Sequence, residues 1–554
     1  MYKWILSLLL PSLLMAGELN FSHSLYLCHI GKTVDAIESY QNICEKNHTQ
    51  NFEVLRQIAF MIMKEGADSK DKTAQILSMY GAGLATSSFS MDILEKGISH
   101  PDPEIQLVSL FFISKLQDDR SDEILSRVAM SSPYLGTRME ACYHMASRKH
   151  PHTVGHIESL MGRLPPIFKA FFPSFFALMG TSDAIAVLRK LLNDKHPIVR
   201  VQSILSIMQF HRDDLLPLLR KRISYANIAE LEACAMALGY LKDTSSIPKL
   251  KKLSDSSTDH VRLAALKALY ALGDTSVKQQ IEIMALSHNV FAIQALGDMF
   301  GTEDTLSELL SSKSIQVRVN AAISLLRRRD TRALPVLKEF FLDDARGIAF
   351  QPQHSVGYSH NAIKVIFSSK QREKDPLVDL SVSLNLKEHF LKESMNLGEA
   401  PFLEIAAQIF AARQNDLAPL LINLLENLRT EKAIHLLKTQ AERIGAPFIR
   451  DYANLSLFRL KEEGPYEARV INWLKKCDEN EEIHLRPHLS LQDRAELSEY
   501  SLSAVEKSQL LLDTFGALAS CQNEKSIKIV LDAIKNGSPN NRYALAGLLM
   551  RATE

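Results

Sequence analysis

Between Asp255 and Asp274 the chain reads DSSTDHVRLAALKALYALGD. Counted from Val261, the apolar residues Ala264, Ala265, Ala268, Leu269 and Leu272 lie three, four, seven, eight and eleven positions on. That spacing marks one face of an α-helix. Ser257, Thr258 and Asp259 offer side-chain oxygens to the first unpaired amides, and Gly273 offers a stop. A shorter apolar stripe from about Ile247 to Leu253 predicts a second helix just upstream, so the unit is a helical hairpin.

The hairpin recurs. TSDAIAVLRKLLNDKHPIVRVQSILSIMQF and EDTLSELLSSKSIQVRVNAAISLLRRRD repeat the short helix, the turn and a longer helix opened by Val-Arg, and weaker copies lie between and before them. Arg138, Arg200, Arg262 and Arg318 stand 62, 62 and 56 residues apart, with one intermediate copy in each interval, which gives a period of about 31 falling to 28. A fixed period of this length with two helices per unit predicts an all-α solenoid, a superhelix of stacked antiparallel hairpins, because one hairpin cannot bury its own apolar face.

These units resemble the HEAT-repeat family, including the HEAT-like repeats of phycobilin lyases. The resemblance rests on L-x-x-L, then Asp, then Val-Arg and small residues, seen best at 184–210, 247–274 and 304–330. It implies that Asp194 with Arg200, Asp255 with Arg262, and Arg318 form a structural ladder between hairpins. It also implies that the second helix of each hairpin lines a binding surface. Ser312 replaces the aspartate before Arg318, which interrupts the ladder there.

The expected organisation is a signal peptide at 1–17, an N-terminal helical region at 18–90, HEAT-like repeats at 91–344, an irregular insertion at 345–400 and further helical repeats at 401–554. Within the insertion, ARGIAFQPQHSVGYSH reads as a loop by composition, and LVDLSVSLNL (377–386) as a strand or as a helix starting after Pro376. An acidic linker is expected at about 477–505, and SPNNRYALAGLLM near the end reads as a capping half-repeat. GAG at 81–83 lacks the third glycine and preceding strand of a dinucleotide fingerprint, so close helix packing is the simpler account.

The first residues, MYKWILSLLLPSLLMAGEL, change the picture of where the protein works. One lysine, an apolar run from Trp4 to Leu14 and the small residues Ala16 and Gly17 form a secretory signal. The expected location is therefore the periplasm of a Gram-negative cell, or otherwise outside the cell, with no membrane span after signal removal. Lysine plus arginine equals aspartate plus glutamate, 64 each, so no net field favours nucleic acid. Six cysteines in 554 residues are too few for a disulfide scaffold. Cys28 and Cys44 flank an apparent hairpin turn and are the candidate disulfide.

Few residues suggest chemistry. CYHMASRKHPHTVGH supplies ligand types, of which His150, His152 and His156 are the metal candidates, but turn histidines need no metal to explain them. GYSHN at 357–361 sets a serine beside a histidine without the glycines of a nucleophile elbow. Arg220, Lys221, Arg222, Arg327, Arg328 and Arg329 form a possible basic patch for a partner, and FKAFFPSFFALMG reads chiefly as core. The expected function is thus a non-enzymatic exported scaffold that binds a protein and needs no cofactor. The competing expectation is an enzyme or small-ligand-binding protein with its site in the 344–361 or 477–505 loops, marked by convergence of His354, His360 and carboxylates.

Overall fold

A computed structural model describes residues 21–47, 49–85, 87, 90–342, 348–367, 376–477, 482–484 and 504–553. The expected signal peptide and most of the expected 477–505 linker lie outside them. The described chain is an all-α solenoid of helical hairpins interrupted by one β-hairpin. No described helix is long and apolar enough to cross a membrane.

The chain forms two compact units, residues 1–141 with 440–554, and residues 142–439. The first unit begins with α1 (21–29), α2 (Thr33–Asn47), α3 (Phe52–Asp68), α4 (Lys72–Ala85), α5 (Met91–Ile98), α6 (Pro103–Ile113) and α7 (Asp119–Ser131). The boundary falls within α8 (Leu135–Ser147). The second unit continues with α9 (Thr153–Met161), α10 (Pro166–Lys169), α11 (Phe172–Met179), α12 (Ser182–Leu191), α13 (Pro197–Gln209), α14 (Leu216–Arg222) and α15 (Ile228–Tyr240). Next come α16 (Ile247–Leu253), α17 (Asp259–Ala271), α18 (Lys278–Leu286), α19 (Val290–Leu296), α20 (Glu303–Leu309), α21 (Ile315–Arg327) and α22 (Leu334–Leu342). After β1 (Ile348–His354) and β2 (Asn361–Phe367), the helices resume with α23 (Pro376–Ser394), α24 (Glu399–Ala411) and α25 (Ala418–Leu428). α26 (Glu431–Ala441) crosses the boundary back to the first unit, which ends with α27 (Pro447–Arg459), α28 (Tyr466–Lys476), α29 (Ala504–Ala519), α30 (Glu524–Asn536) and α31 (Asn541–Ala552).

Strands therefore occur at 348–367, where the composition suggested a loop, while the alternating stretch at 377–386 is helical. The reason is local. Pro376 opens α23 at a position where its missing amide costs nothing, whereas the short 348–367 strands depend on partners far away in sequence.

In the second unit the repeat has a backbone ruler. Lys149, Gly180, His211, Lys242, Gly273, Gly301 and Arg329 all have positive φ, at successive spacings of 31, 31, 31, 31, 28 and 28 residues. Around His211, Lys242, Gly273 and Arg329 the next residue's amide returns to a carbonyl five residues earlier, as in Asp243 N to Leu238 O at 2.9 Å and Asp330 N to Leu325 O at 3.0 Å. This is the Schellman ending of a helix, which recovers carbonyls that would otherwise be unpaired. Of these four, the sequence marks a stop only at Gly273, since lysine, histidine and arginine do not advertise a left-handed residue. The recovered bonds offset the roughly 1–2 kcal/mol cost of that conformation.

The expected ladder is corrected in its partners. Arg200, Arg262 and Arg318 each donate to the backbone carbonyl six residues earlier, at Asp194 (2.7 Å), Ser256 (3.1 Å) and Ser312 (2.9 Å). Such carbonyls, at the end of the short helix, lack helical partners and attract a cation. The Asp194 carboxylate instead accepts from the His196 amide, and Asp255 is exposed. Arg262 turns to Asp259 in its own helix, and among the described residues it pairs with no neighbouring hairpin. Arg200 does reach the next hairpin, at Glu230 (2.6 Å), and Arg318 approaches Glu339 of the next hairpin at 3.5 Å. Further ion pairs between repeats are Arg220 with Asp243, through two bonds of 2.9 and 2.7 Å, and Lys251 with Asp274 at the equivalent position 31 residues on. Burial raises the Asp243 pKa, but bonds from Arg220 and Ser246 outweigh it and hold the carboxyl below its ordinary range.

In the first unit, α31 packs against α3 and α4. Small residues form the seam: a Cβ on Gly81 would lie 2.2 Å from the Tyr543 carbonyl oxygen, and one on Gly547 would lie 2.0 Å from the Gly81 carbonyl oxygen. The seam confirms close packing at GAG and overturns the capping half-repeat. Tyr543, Ala544, Leu545, Leu548 and Leu549 are all buried, whereas a cap needs a polar outer face. Arg56 donates to the Thr553 carbonyl (2.8 Å) at the end of α31, and Arg542 pairs with Glu65 (3.1 Å) at its start.

The proposed Cys28–Cys44 disulfide is absent; both are thiols. Cys28 is buried with its sulfur 3.8 Å from the Ile58 carbonyl, and burial pushes its pKa up to about 12, while Cys44 sits beside Tyr40. Gly81→Leu is expected to lower the free energy of unfolding by about 3 kcal/mol through overpacking of the seam. The control Gly136→Ala, whose Cβ meets nothing within 4 Å, should leave it within about 0.5 kcal/mol in the same denaturant titration.

Candidate functional site

Buried polar groups converge where the β-hairpin meets the second helices. α15 carries two fully buried carboxylates, Glu230 and Glu232. Two residues apart on a helix they face different neighbours. Asn227 caps the helix through the Glu230 amide at 3.0 Å and donates to the Glu230 carboxylate at 2.7 Å. That carboxylate also takes Arg200 (2.6 Å) from the preceding hairpin and Arg222 (2.6 Å) from its own.

Glu232 receives the β-hairpin. Strands β1 and β2 pair antiparallel from Ile348 opposite Phe367 to His354 opposite Asn361. The turn between them donates three hydrogens to the Glu232 carboxylate: from the Ser355 hydroxyl, the Gly357 amide (2.9 Å) and the Ser359 hydroxyl (2.5 Å). A Cβ on Gly357 would come within 2.5 Å of the Ala229 carbonyl oxygen, so only glycine allows this approach. Farther along, buried Asn320 of α21 acts as a neighbouring strand: its Oδ1 accepts from the Ile363 amide (2.9 Å) and its Nδ2 donates to the Ile363 carbonyl (2.8 Å). The Ser383 hydroxyl of α23 accepts from the Phe350 amide at 3.2 Å.

His360 is buried in this seat, its Nε2 4.0 Å from Glu232, and neither ring nitrogen meets a hydrogen-bond partner. Burial pushes its pKa down to about 3; the Lys267 charge adds to the shift and the His260 backbone opposes it. The imidazole is neutral at ordinary pH. A serine nucleophile would direct its hydroxyl hydrogen at the imidazole. Ser355 and Ser359 direct theirs at Glu232 instead, so the trio is a structural seat. His354 stands apart and exposed, bonded through Nδ1 to Asn361 at 2.7 Å, so the two histidines do not share a pocket. Beside His360 lies a cavity of about 120 Å³ reached by Lys267, Gln294, Asp298 and Arg327.

The other candidates are dispersed. Among the described residues no three histidines, cysteines or acids gather to hold a metal; the His150 and His152 rings lie 5.5 Å apart in the turn, and His156 lies on α9. The basic patch is half consumed internally. Arg220 and Arg222 hold Asp243 and Glu230, and Arg328 holds Glu303 at 2.9 Å while covering the Phe300 ring at 4.4 Å. Lys221, Arg327 and Arg329 are exposed. Of the phenylalanine cluster, Phe172, Phe175 and Phe176 are core, whereas Phe168 and Phe171 are exposed. Sequence reasoning missed Glu232 and Asn320. A glutamate near a helix start reads as a surface residue suited to the dipole, and the one available signal was its place among small apolar residues in AELEACAMALG.

Glu232→Ala leaves three hairpin donors without their acceptor. Amide exchange at 355–363 is expected to rise by about tenfold or more, equivalent to about 1.4 kcal/mol of lost local stability, with other helices unchanged. Exchange mass spectrometry would locate the seat elsewhere if the hairpin kept its original protection.

No family model and no curated protein matches the chain. Among solved structures it is similar to the complex of CpcE and CpcF of phycocyanin lyase from Nostoc sp. PCC7120, at 16% identity and a TM-score of 0.30, over 39% of this chain and 92% of that one. It is also similar to the karyopherin Kap121p bound to the extreme C-terminus of the protein phosphatase Cdc14p, at 15% identity and a TM-score of 0.31, over 90% of this chain and 61% of that one. UNC-45 from Drosophila melanogaster matches at 11% identity and a TM-score of 0.30, over 94% and 79%. With its repeating hairpins and Schellman turns, the chain is similar to HEAT- and armadillo-type helical solenoids.

Proposed function

We propose that this protein is an exported scaffold that binds a protein partner along one edge of the helical stack in residues 142–439. The observation that carries the reading is a row of aromatic and cationic side chains where successive second helices end. Tyr240 meets His211, with its hydroxyl 3.3 Å from Nε2, and the Phe300 amide donates to the Tyr270 hydroxyl at 3.1 Å. Arg328 stacks on Phe300, which is 74% exposed. Aromatic and arginine anchors dominate binding energy at protein interfaces, and their fixed geometry here lowers the cost of ordering them. Export is supported by the order of charge, apolar run and small residues at 1–17.

A photo-crosslinking side chain placed at Tyr240 or Phe300 in the source cell is expected to trap the same single protein. One placed at Ile444, 94% exposed, should not. Phe300→Ala should weaken binding of the trapped protein by about tenfold or more without changing thermal stability. Identical adduct patterns at all three positions would refute the interface. N-terminal sequencing of the exported chain should find it starting at Gly17 or Glu18.

A further inference from the structure

Apart from the partner edge, the cavity beside the β-hairpin has the makings of a ligand site. Three observations converge on it. First, it has about 120 Å³ of space, whereas one water needs about 10–15 Å³. Second, it is reached by buried polar groups left without partners: Gln294 Oε1 and the His360 ring, the two residues being 5% and 3% exposed. Gln294 is fixed in this orientation because its Nε2 donates to Asn320 Oδ1 at 2.8 Å. Buried polar groups are ordinarily satisfied, so an orphaned carbonyl oxygen and imidazole on the wall of one cavity call for a polar occupant. Third, charged groups line it. Arg327 has no ion pair among the described residues, and Lys267 is paired with Asp298 at 3.5 Å. Gln294 and Asp298 are four residues apart, on one face of the α19 segment and the turn that follows it.

These walls specify an occupant. Lys267 and Arg327 offer charged donors, which suit a carboxylate. Gln294 Oε1 and Asp298 accept and cannot donate, which suits an N–H or ammonium group. We propose that this cavity binds an α-carboxylate carried beside its own N–H donor, the chemistry shared by a free amino acid and the C-terminal residue of a peptide. Lys267 and Arg327 hold the carboxylate, and Gln294 with Asp298 takes the nitrogen-bound hydrogen. His360 is the neutral wall, and the Glu232 seat keeps the turn that carries it in place.

Isothermal titration of the full chain with glycine, L-glutamate and N-acetylglycine tests this, with acetate and methylamine as probes that each lack one half of the chemistry. At least one of the first three is expected to bind saturably, one per chain, and at least about tenfold more tightly than either half-probe. Binding of glycine or glutamate alone identifies a free amino acid, and binding of N-acetylglycine alone identifies a chain end. Arg327→Gln, at an exposed side chain without an ion pair, should weaken the binding by about tenfold, and Arg327→Lys should recover part of it. The proposal is overturned if none of the three binds at millimolar concentration, or if Arg327→Gln binds as well as the unaltered chain. Either result leaves the crosslinks at Tyr240 and Phe300 unaffected, so the two readings fail separately.

Discussion

Two buried carboxylates on one turn of α15 hold the middle of this structure together. Removing a carboxylate from water is costly unless charge and hydrogen bonds replace the lost hydration. Glu230 is compensated by two arginines and an asparagine, Glu232 by two hydroxyls and an amide. The first set binds consecutive repeats to each other; the second fastens a β-hairpin that begins more than a hundred residues later. Because each carboxylate would be strongly unfavourable if its donors left, the repeats and the hairpin are held in one arrangement.

The same logic of completing unpaired backbone groups recurs at smaller scale. Arginines 200, 262 and 318 close the ends of short helices, Schellman turns close the ends of long ones, and Asn320 gives strand β2 a partner where the described residues supply no third strand. A two-stranded hairpin is marginal alone in water. Here it is stable through side chains of α15, α21 and α23, and its turn forms one wall of the Lys267–Arg327 cavity. The polar groups that secure the fold thus also shape the place where a ligand would be read.

Close packing sets the other condition. Gly239 would bring a Cβ within 2.4 Å of the Ala268 backbone, so α15 and α17 approach as only small residues permit. Gly81 and Gly547 do the same for α4 and α31, which join segments far apart in the chain into one unit. Periodicity revealed the apolar faces of these helices. Which small residue met which was not in the pattern, because a glycine in a helix looks the same whether it faces solvent or another backbone.

What the sequence determined by itself was the helical hairpin, its period of 31 falling to 28, and hence a solenoid, since these follow from apolar spacing and local stops along the chain. Arg200, Arg262 and Arg318 were legible as a repeating column for the same reason. Their partners, the absence of a Cys28–Cys44 bond, the burial of Glu232 beneath a hairpin 123 residues away, and the docking of α31 onto α4 were decided by tertiary structure. Burial, hydrogen-bond satisfaction and backbone approach depend on distances in space, and residues such as glutamate, asparagine and glycine carry no sign in sequence of which distant group will complete them.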